Sequence, residues 1–350
     1  MNFLPNQNFE CSQCSRCCQG WRIGVDNATA RQLKGSLLEL RIVGQTGRAA
    51  LAYEDGRHTI ARKPDGSCAF LNEQELCSIH AEMGATAKPV GCQQFPYRAT
   101  GTPDGIFVGV SFYCSAVQRN EGPPLQGTPE LGDYPTVGQV LPVTASLYMG
   151  WPVYRVLDEF LAQELEGPVD VALGRALWAL CQLVKRGRGL TPDFMRDLLE
   201  KSEVALLPPC EPFALMERHH FGLLVARTEE LDAAQLLADK ALTYTRFHSW
   251  SGRLSQIRAA GREQELRRYL RALVYRKFLV TRRPLLHNLA LLYMLAQLYR
   301  FWSGLSALSA PAENCEFRAL DECERRYVTH ARDVDAPLAH LGKDLLEGLD

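Results

Sequence analysis

Hydrophobic residues change their period along this chain. From residue 151 onward they recur at three- and four-residue spacing, which predicts amphipathic helices over 153–166, 168–186, 191–203, 213–227, 263–280, 284–306 and 313–332, with a short terminal helix after them. Thr191 and Pro192 supply a cap and a first-turn proline, and Leu266, Leu270, Leu273, Val274 and Phe278 share one helix side. The most apolar stretch, 285–302, is interrupted by His287, Asn288, Gln297 and Arg300, which would be costly in lipid. It reads as a buried core helix and not as a membrane span. Before residue 119 the pattern is shorter and less regular. β-Branched and aromatic residues predict strands over 21–25, 58–61 and 106–113, helical periodicity covers 29–43, and Pro64-Asp65-Gly66-Ser67 and Pro103-Asp104-Gly105 make turns.

Between these halves, Pro123, Pro124, Pro129, Pro135 and Pro142 alternate with Gly122, Gly127, Gly132, Gly138 and Gly150. Such a stretch holds neither regular helix nor central strand. Leu131, Tyr134, Val137, Val140 and Leu141 would anchor it to a surface. The predicted fold is therefore mainly α. A small irregular α+β cysteine-rich metal- or cluster-binding domain (1–118) leads through a Pro/Gly-rich connection (119–150) into an α-helical domain (151–350).

With 350 residues, 46% of them hydrophobic, the chain can build a core without covalent staples. Its net charge of −1 gives no global pull toward nucleic acid or membrane. The average hides a basic segment, 246–283, where eleven Arg and Lys residues face only Glu263 and Glu265. A solvated helix face, partly neutralised by the acidic 311–350 tail, is one reading and an acidic partner is another. Trp250, Tyr269 and Tyr275 lie in this segment, but several of its aromatics share apolar helix faces, which argues against nucleic acid.

Eight of twelve cysteines precede residue 115. Cys11, Cys14, Cys17 and Cys18 form a CxxCxxCC run, and Cys68, Cys77, Cys92 and Cys114 follow among Gly- and Pro-rich turns. Spacings of three and four gather thiolates on one helix face or around one loop, in one large site or two smaller ones. Residues 1–10 have neither a basic n-region nor an apolar h-region, so the expectation is a cytoplasmic chain whose thiols stay reduced and bind metal instead of forming disulfides. CxxCxxC is the spacing with which ferredoxins hold three irons of a [4Fe–4S] cluster, while zinc accepts any four thiolates. Either site carries a charge of roughly −2, which Arg16, Arg22, Arg62, Lys63, Lys88 and Arg98 are placed in sequence to offset. His80, three residues after Cys77, is a further ligand or a supporting donor. Cys181, Cys210, Cys315 and Cys323 stand in helical contexts and read as buried inert thiols.

The segments Cys11-Ser12-Gln13-Cys14-Ser15-Arg16-Cys17-Cys18, Gly66-Ser67-Cys68-Ala69-Phe70-Leu71, Cys77-Ser78-Ile79-His80 and Pro89-Val90-Gly91-Cys92-Gln93-Gln94-Phe95-Pro96-Tyr97 resemble the successive signatures of the CxxCxxCC family, described as zinc- or iron-chelating. A cluster domain followed by a long helical region, with Glu265-Leu266-Arg267-Arg268-Tyr269-Leu270 inside it, is similar to the flagellin lysine N-methylases. That resemblance implies an iron–sulfur cluster, S-adenosylmethionine and a protein lysine as substrate. Methyl transfer requires the lysine to lose its proton from a pKa of about 10.4, and Phe95, Tyr97, Phe112 and Tyr113 either offer faces to a cation or pack the small domain. No GxGxxG follows a strand and no CxxxCxxC is present, and the spacing names no catalytic residue. The alternative is a non-enzymatic, zinc-stabilised protein that binds a partner.

Overall fold

The structure, a computed structural model, describes residues 1–19, 23–54, 56–127, 131–202, 262–309 and 315–329. It divides into two compact units: one of Phe3–Ala99 with Val108–Tyr134, the other of Met1–Asn2, Thr100–Phe107 and Pro135–Asp350. The chain is mainly α with small sheets, as its periodicity predicts.

In the first unit, helices α1 (Asn27–Leu33) and α2 (Leu37–Thr46) stand where one helix was expected over 29–43. Gly35 takes φ +76° between them, a backbone only glycine adopts cheaply. Each helix has its own cap. Asp26 Oδ1 accepts from Ala28 N and Thr29 N, and Ser36 Oγ accepts from Glu39 N at 3.2 Å while Glu39 Oε2 accepts from Gly35 N at 2.6 Å. A three-stranded antiparallel sheet, with Arg57–Ile60 between Gly24–Val25 and Leu51–Glu54, pairs Leu51 with Ile60 and Tyr53 with His58. Val25, Leu33, Leu38, Ile42, Ile60, Phe70 and Ile79 form its core.

Three short helices complete this unit: α3 (Ser78–Met83), α4 (Val90–Gln94) and α5 (Ser115–Arg119). The strand expected over 106–113 ends at Val110, in Gly105–Val110, which pairs between Tyr97–Thr102 and Asn2–Phe3. Phe112 and Tyr113 turn inward instead, and both are buried. In the Pro/Gly-rich stretch, Val140–Pro142 and Tyr148–Gly150 pair as a two-stranded ribbon, which has no central strand, with Leu141 and Met149 buried opposite one another.

The second unit is helical. Helices α6 (Trp151–Glu164), α7 (Val169–Arg186) and α8 (Pro192–Lys201) pack on one another, and α9 (Arg262–Tyr275) packs on α6 and on α10 (Leu285–Ser309). Helix α10 also packs on α7 and on α11 (Cys315–Cys323), which runs into a π-helical turn, Glu324–Thr329. The helix expected over 263–280 stops at Tyr275 because Lys277 adopts φ +61°, and a 3₁₀ turn, Phe278–Val280, follows. Asn288 fastens that turn: its buried Nδ2 donates to the carbonyls of Leu279, Thr281 and Arg283 at 2.9, 2.9 and 3.2 Å. Gln297 and Arg300 are tied to Asp170, and Arg300 also to Glu263. The polar interruptions of α10 thus serve packing, and among the described residues no helix is long and apolar enough to cross a membrane.

The described part of the basic segment is only in part a solvated face: Arg282 is exposed and Arg267, Arg268 and Arg271 are half-buried. Arg262, Arg276, Lys277 and Arg283 are buried. Arg276 faces the Glu324 carboxylate, Lys277 donates to Asp158 at 2.5 Å and lies 4.1 Å from the Phe107 ring centre, and Arg271 pairs with Glu166 at 2.9 Å. These cations bind the helices together through acids that lie far away in sequence. The helix expected over 213–227, Trp250, Arg246, Arg253, Arg258, Cys210, the terminal helix and most of the acidic tail lie outside the described residues.

Two buried phenols accompany these ion pairs, with Tyr154 donating to Asp158 at 2.9 Å and Tyr269 to Glu324 at 3.0 Å. Burial, and then the neighbouring carboxylate, push both pKa values well above the ordinary phenol value. Below about pH 10 that contribution is fully present. Above it the unfolded chain releases protons that the folded chain keeps, so stability falls by up to about 1.4 kcal/mol per pH unit for each tyrosine. Urea unfolding between about pH 9 and about pH 11 should show this slope, and Tyr154→Phe with Tyr269→Phe should flatten it. An equal slope in the double variant would refute the assignment.

Candidate metal centre

Backbone pairing brings the cysteine-bearing segments together. The chain start is fastened to the end of α5: Gln7 Nε2 donates to Val117 O and Asn120 Oδ1, Asn8 N donates to Asn120 Oδ1 at 2.7 Å, and Phe9 N donates to Pro123 O at 3.0 Å. Gly122, at φ +95°, makes the approach possible, since a Cβ there would lie 2.4 Å from Glu10 Cβ. The CxxCxxCC run then turns through Gln13 and Ser15, both at positive φ, into a 3₁₀ turn, Arg16–Cys18. Ser15 Oγ donates to Glu75 at 2.9 Å, and Cys68 N donates to Cys18 O at 2.8 Å. Bridges between Arg62 and Cys68 and between Leu71 and Cys77 continue the pairing.

The outcome is a connected group of thiols from five segments. Cys17 is hydrogen-bonded to Cys18 and lies within electrostatic reach of Cys14, while Cys114 feels both Cys14 and Cys17. Cys92 feels Cys68, Cys77 and Cys17. Cys68 is buried, and Cys18, Cys77 and Cys92 are partly buried against the same apolar core. Cys14 lies 2.9 Å from the Ser115 hydroxyl, within hydrogen-bonding distance. Cys11, Cys14 and Cys17 are all exposed along the run.

Electrostatics separate these thiols. Burial pushes Cys68 and Cys114 up to about 11 and Cys92 up to about 12. The hydrogen bond to Cys18 drives Cys17, an exposed residue, above the ordinary thiol range. Cys14 moves the other way: burial alone would raise it, but hydrogen bonds from Ser115, the Arg16 backbone and Ser12 together outweigh that and lower it. Cations stand near both groups. Arg16 and Arg119 reach Cys14 and Cys114, Lys88 reaches Cys17 and Cys92, and Arg62 and Lys63 reach Cys68.

Among the described residues, no three His, Cys, Asp or Glu side chains are drawn together tightly enough to hold an ion as they stand. The donor set nevertheless suits a thiolate-held metal, since none of Cys11, Cys14, Cys17, Cys18, Cys68, Cys77, Cys92 and Cys114 is in a disulfide and seven of them lie in one neighbourhood with cations around them.

Of the other residues singled out by spacing, His80 is exposed on α3, and Arg22 lies outside the described residues. Tyr97 packs edge-on against Phe9 at 5.7 Å, while Tyr113 offers its face to the Arg16 guanidinium at 5.4 Å. Cys181 and Cys323 are buried. Spacing missed Ser115, Gln118, Glu75 and Arg119. Ser115 follows directly on Cys114 and Gln118 lies four positions after it in the same short helix, and that nearness was the available signal.

Comparison with known proteins places these features. The chain is 30% identical over 95 residues to "Flagellar biosynthetic protein FliU" of Salmonella muenchen, covering 25% of this chain and 56% of that protein. It is 28% identical over 95 residues to "Lysine-N-methylase" of Salmonella choleraesuis, covering 25% of this chain and 24% of the relative. To "Uncharacterized protein MJ0939" of Methanocaldococcus jannaschii it is 27% identical over 116 residues, or 32% and 38% of the two chains. The matches thus span about half of FliU and a quarter of the methylase. No solved structure matches. A family model, CxxCxxCC, described as "Putative zinc- or iron-chelating domain", matches residues 10–114, the segment that carries the CxxCxxCC run and the thiols gathered on it.

Proposed function

We propose that the 10–114 domain holds a [4Fe–4S] cluster on thiolates drawn from Cys14, Cys17, Cys18, Cys68, Cys77, Cys92 and Cys114, with Cys11 at the rim, and that the chain methylates protein lysines with S-adenosylmethionine. The gathering of free thiols around Cys17 carries the metal part. The CxxCxxC spacing suits three irons of one cluster, a fourth thiolate coming from a later segment. When bound, such a cluster supplies redox-active iron whose potential depends on hydrogen bonds and charge around the sulfurs. The chain's own part is to shield one side of the centre with the apolar core, to hydrogen-bond Cys14 through Ser115, and to offset thiolate charge with the nearby cations.

The methyl-transfer part rests on the relative named as a lysine N-methylase and on the helical domain that follows the cysteines. A reducing cytoplasm suits thiols that must stay free. The proposed partner is a protein presenting a lysine and not a nucleic acid, in keeping with the burial of Arg262, Arg276, Lys277 and Arg283. The proposed division keeps a cluster domain over 1–118, a connection over 119–150 and a helical domain over 151–350. A second reading, a zinc centre that only stabilises a partner-binding fold, draws on the packing of Cys18, Cys68, Cys77 and Cys92 against the core.

Anaerobic purification separates the two. A brown protein with thiolate-to-iron absorption, iron and acid-labile sulfide is the expected result, and a colourless protein with stoichiometric zinc would rule out the cluster. Calorimetric titration of the iron-loaded protein with S-adenosylmethionine should then give saturable heat. Its absence with the cluster intact would remove the methylase reading.

A further inference from the structure

The cations around the thiols are held in different ways. Arg62 Nη1 donates to Gly66 O at 2.7 Å, and Lys63 Nζ donates to Leu71 O at 2.5 Å. Arg119 is exposed and forms a two-pronged pair with Glu121, at 2.5 and 3.2 Å. Arg16, which stands between Cys14 and Cys17 in sequence, is held by Gln118 and Tyr113. Its Nη1 donates to Gln118 Oε1 at 3.4 Å, and its guanidinium lies over the Tyr113 ring. Gln118 is 1% exposed and is itself fixed, its Nε2 donating to Phe112 O at 2.6 Å. Tyr113 in turn donates from its hydroxyl to Gln19 O at 3.4 Å. Residues 112–118 thus position one side chain of the CxxCxxCC run.

We propose that Arg16 is a positioning residue for the metal centre, a counter-cation seated by Gln118 and Tyr113 beside Cys14 and Cys114. The inference rests on the metal-centre reading above. Gathering thiolates concentrates negative charge, roughly −2 for four of them around Zn²⁺ or a [4Fe–4S]²⁺ core. A cation already in place when the metal arrives offsets that charge. Arginine suits the task because its guanidinium stays charged and stacks flat on an aromatic ring, and partners just outside the ligands typically change metal affinity by about 10–100-fold.

The test compares wild type, Arg16→Gln, Arg16→Lys and Arg119→Gln as full-length chains purified anaerobically. Metal per chain and competition with a chelator give affinity, and far-UV circular dichroism reports folding. Arg16→Gln should lose about 10-fold or more in metal affinity, Arg16→Lys should recover part of it, and Arg119→Gln should change it less than about twofold, since its charge is matched by Glu121 at the surface. If the metal is a cluster, Arg16→Gln should also shift its reduction potential to more negative values. Wild-type affinity in Arg16→Gln overturns the inference, as does an equal loss in Arg119→Gln or in Arg16→Lys. A wild-type protein free of any metal overturns the metal-centre reading as well, and so the two failures can be told apart.

Discussion

Replacing Cys17 with serine should empty the metal centre and lower the melting temperature of the cysteine unit, whereas replacing Cys11 should cost much less. Cys17 is hydrogen-bonded to Cys18 and is the neighbour of Cys14, Cys92 and Cys114, so it joins the thiols of the run to those that arrive later in the chain. Loss of one such ligand should exceed the roughly 10–100-fold effect of partners outside the ligand set. Because a metal site forms only in the folded state, the lost binding energy is also lost folding energy. Elemental analysis and thermal melts of Cys17→Ser and Cys11→Ser, prepared side by side, decide the matter. Full metal content in Cys17→Ser would remove the assignment, and equal losses in both would deny that the thiol neighbourhood sets the site.

What could be read in the sequence follows from the range of each signal. Helices α6, α7 and α10 run for 14, 18 and 25 residues, long enough for a three- and four-residue apolar period to repeat several times. Helices α4 and α5 have five residues each, too few for any period, and both were missed. Lys277 broke a helix that its apolar spacing would have continued, because the left-handed turn there depends on Asp158 and Phe107, residues remote in sequence. The same limit governs the site. The cysteines were legible as a set because their spacing is local, but the meeting of Cys18 with Cys68, and of Cys14 with Ser115, depends on pairings across 50 and 101 positions.

Glu324→Gln should be the most destabilising single change in the helical unit. Its carboxylate is 0% exposed and accepts from Tyr269, from both terminal nitrogens of Arg276 at 3.4 and 3.5 Å, and from Thr329 at 3.4 Å. The glutamine keeps the shape but removes the negative charge that faces Arg276, and breaking a buried pair from one side costs about 3–5 kcal/mol. Against a typical stability of about 5–15 kcal/mol, that is a large fraction. The exposed pair of Arg155 and Glu159 sets the comparison, since both side chains are more than half exposed and such pairs contribute only about 0–1 kcal/mol. Replacing both buried partners, as Arg276→Met with Glu324→Leu, should cost less than Glu324→Gln alone, because no charge is then left facing an apolar interior. Urea midpoints followed by far-UV circular dichroism test this order. If Glu324→Gln moved the midpoint no further than Arg155→Ala does, the π-helical turn would not depend on this pair, and burial of α11 against α10 alone would have to hold it.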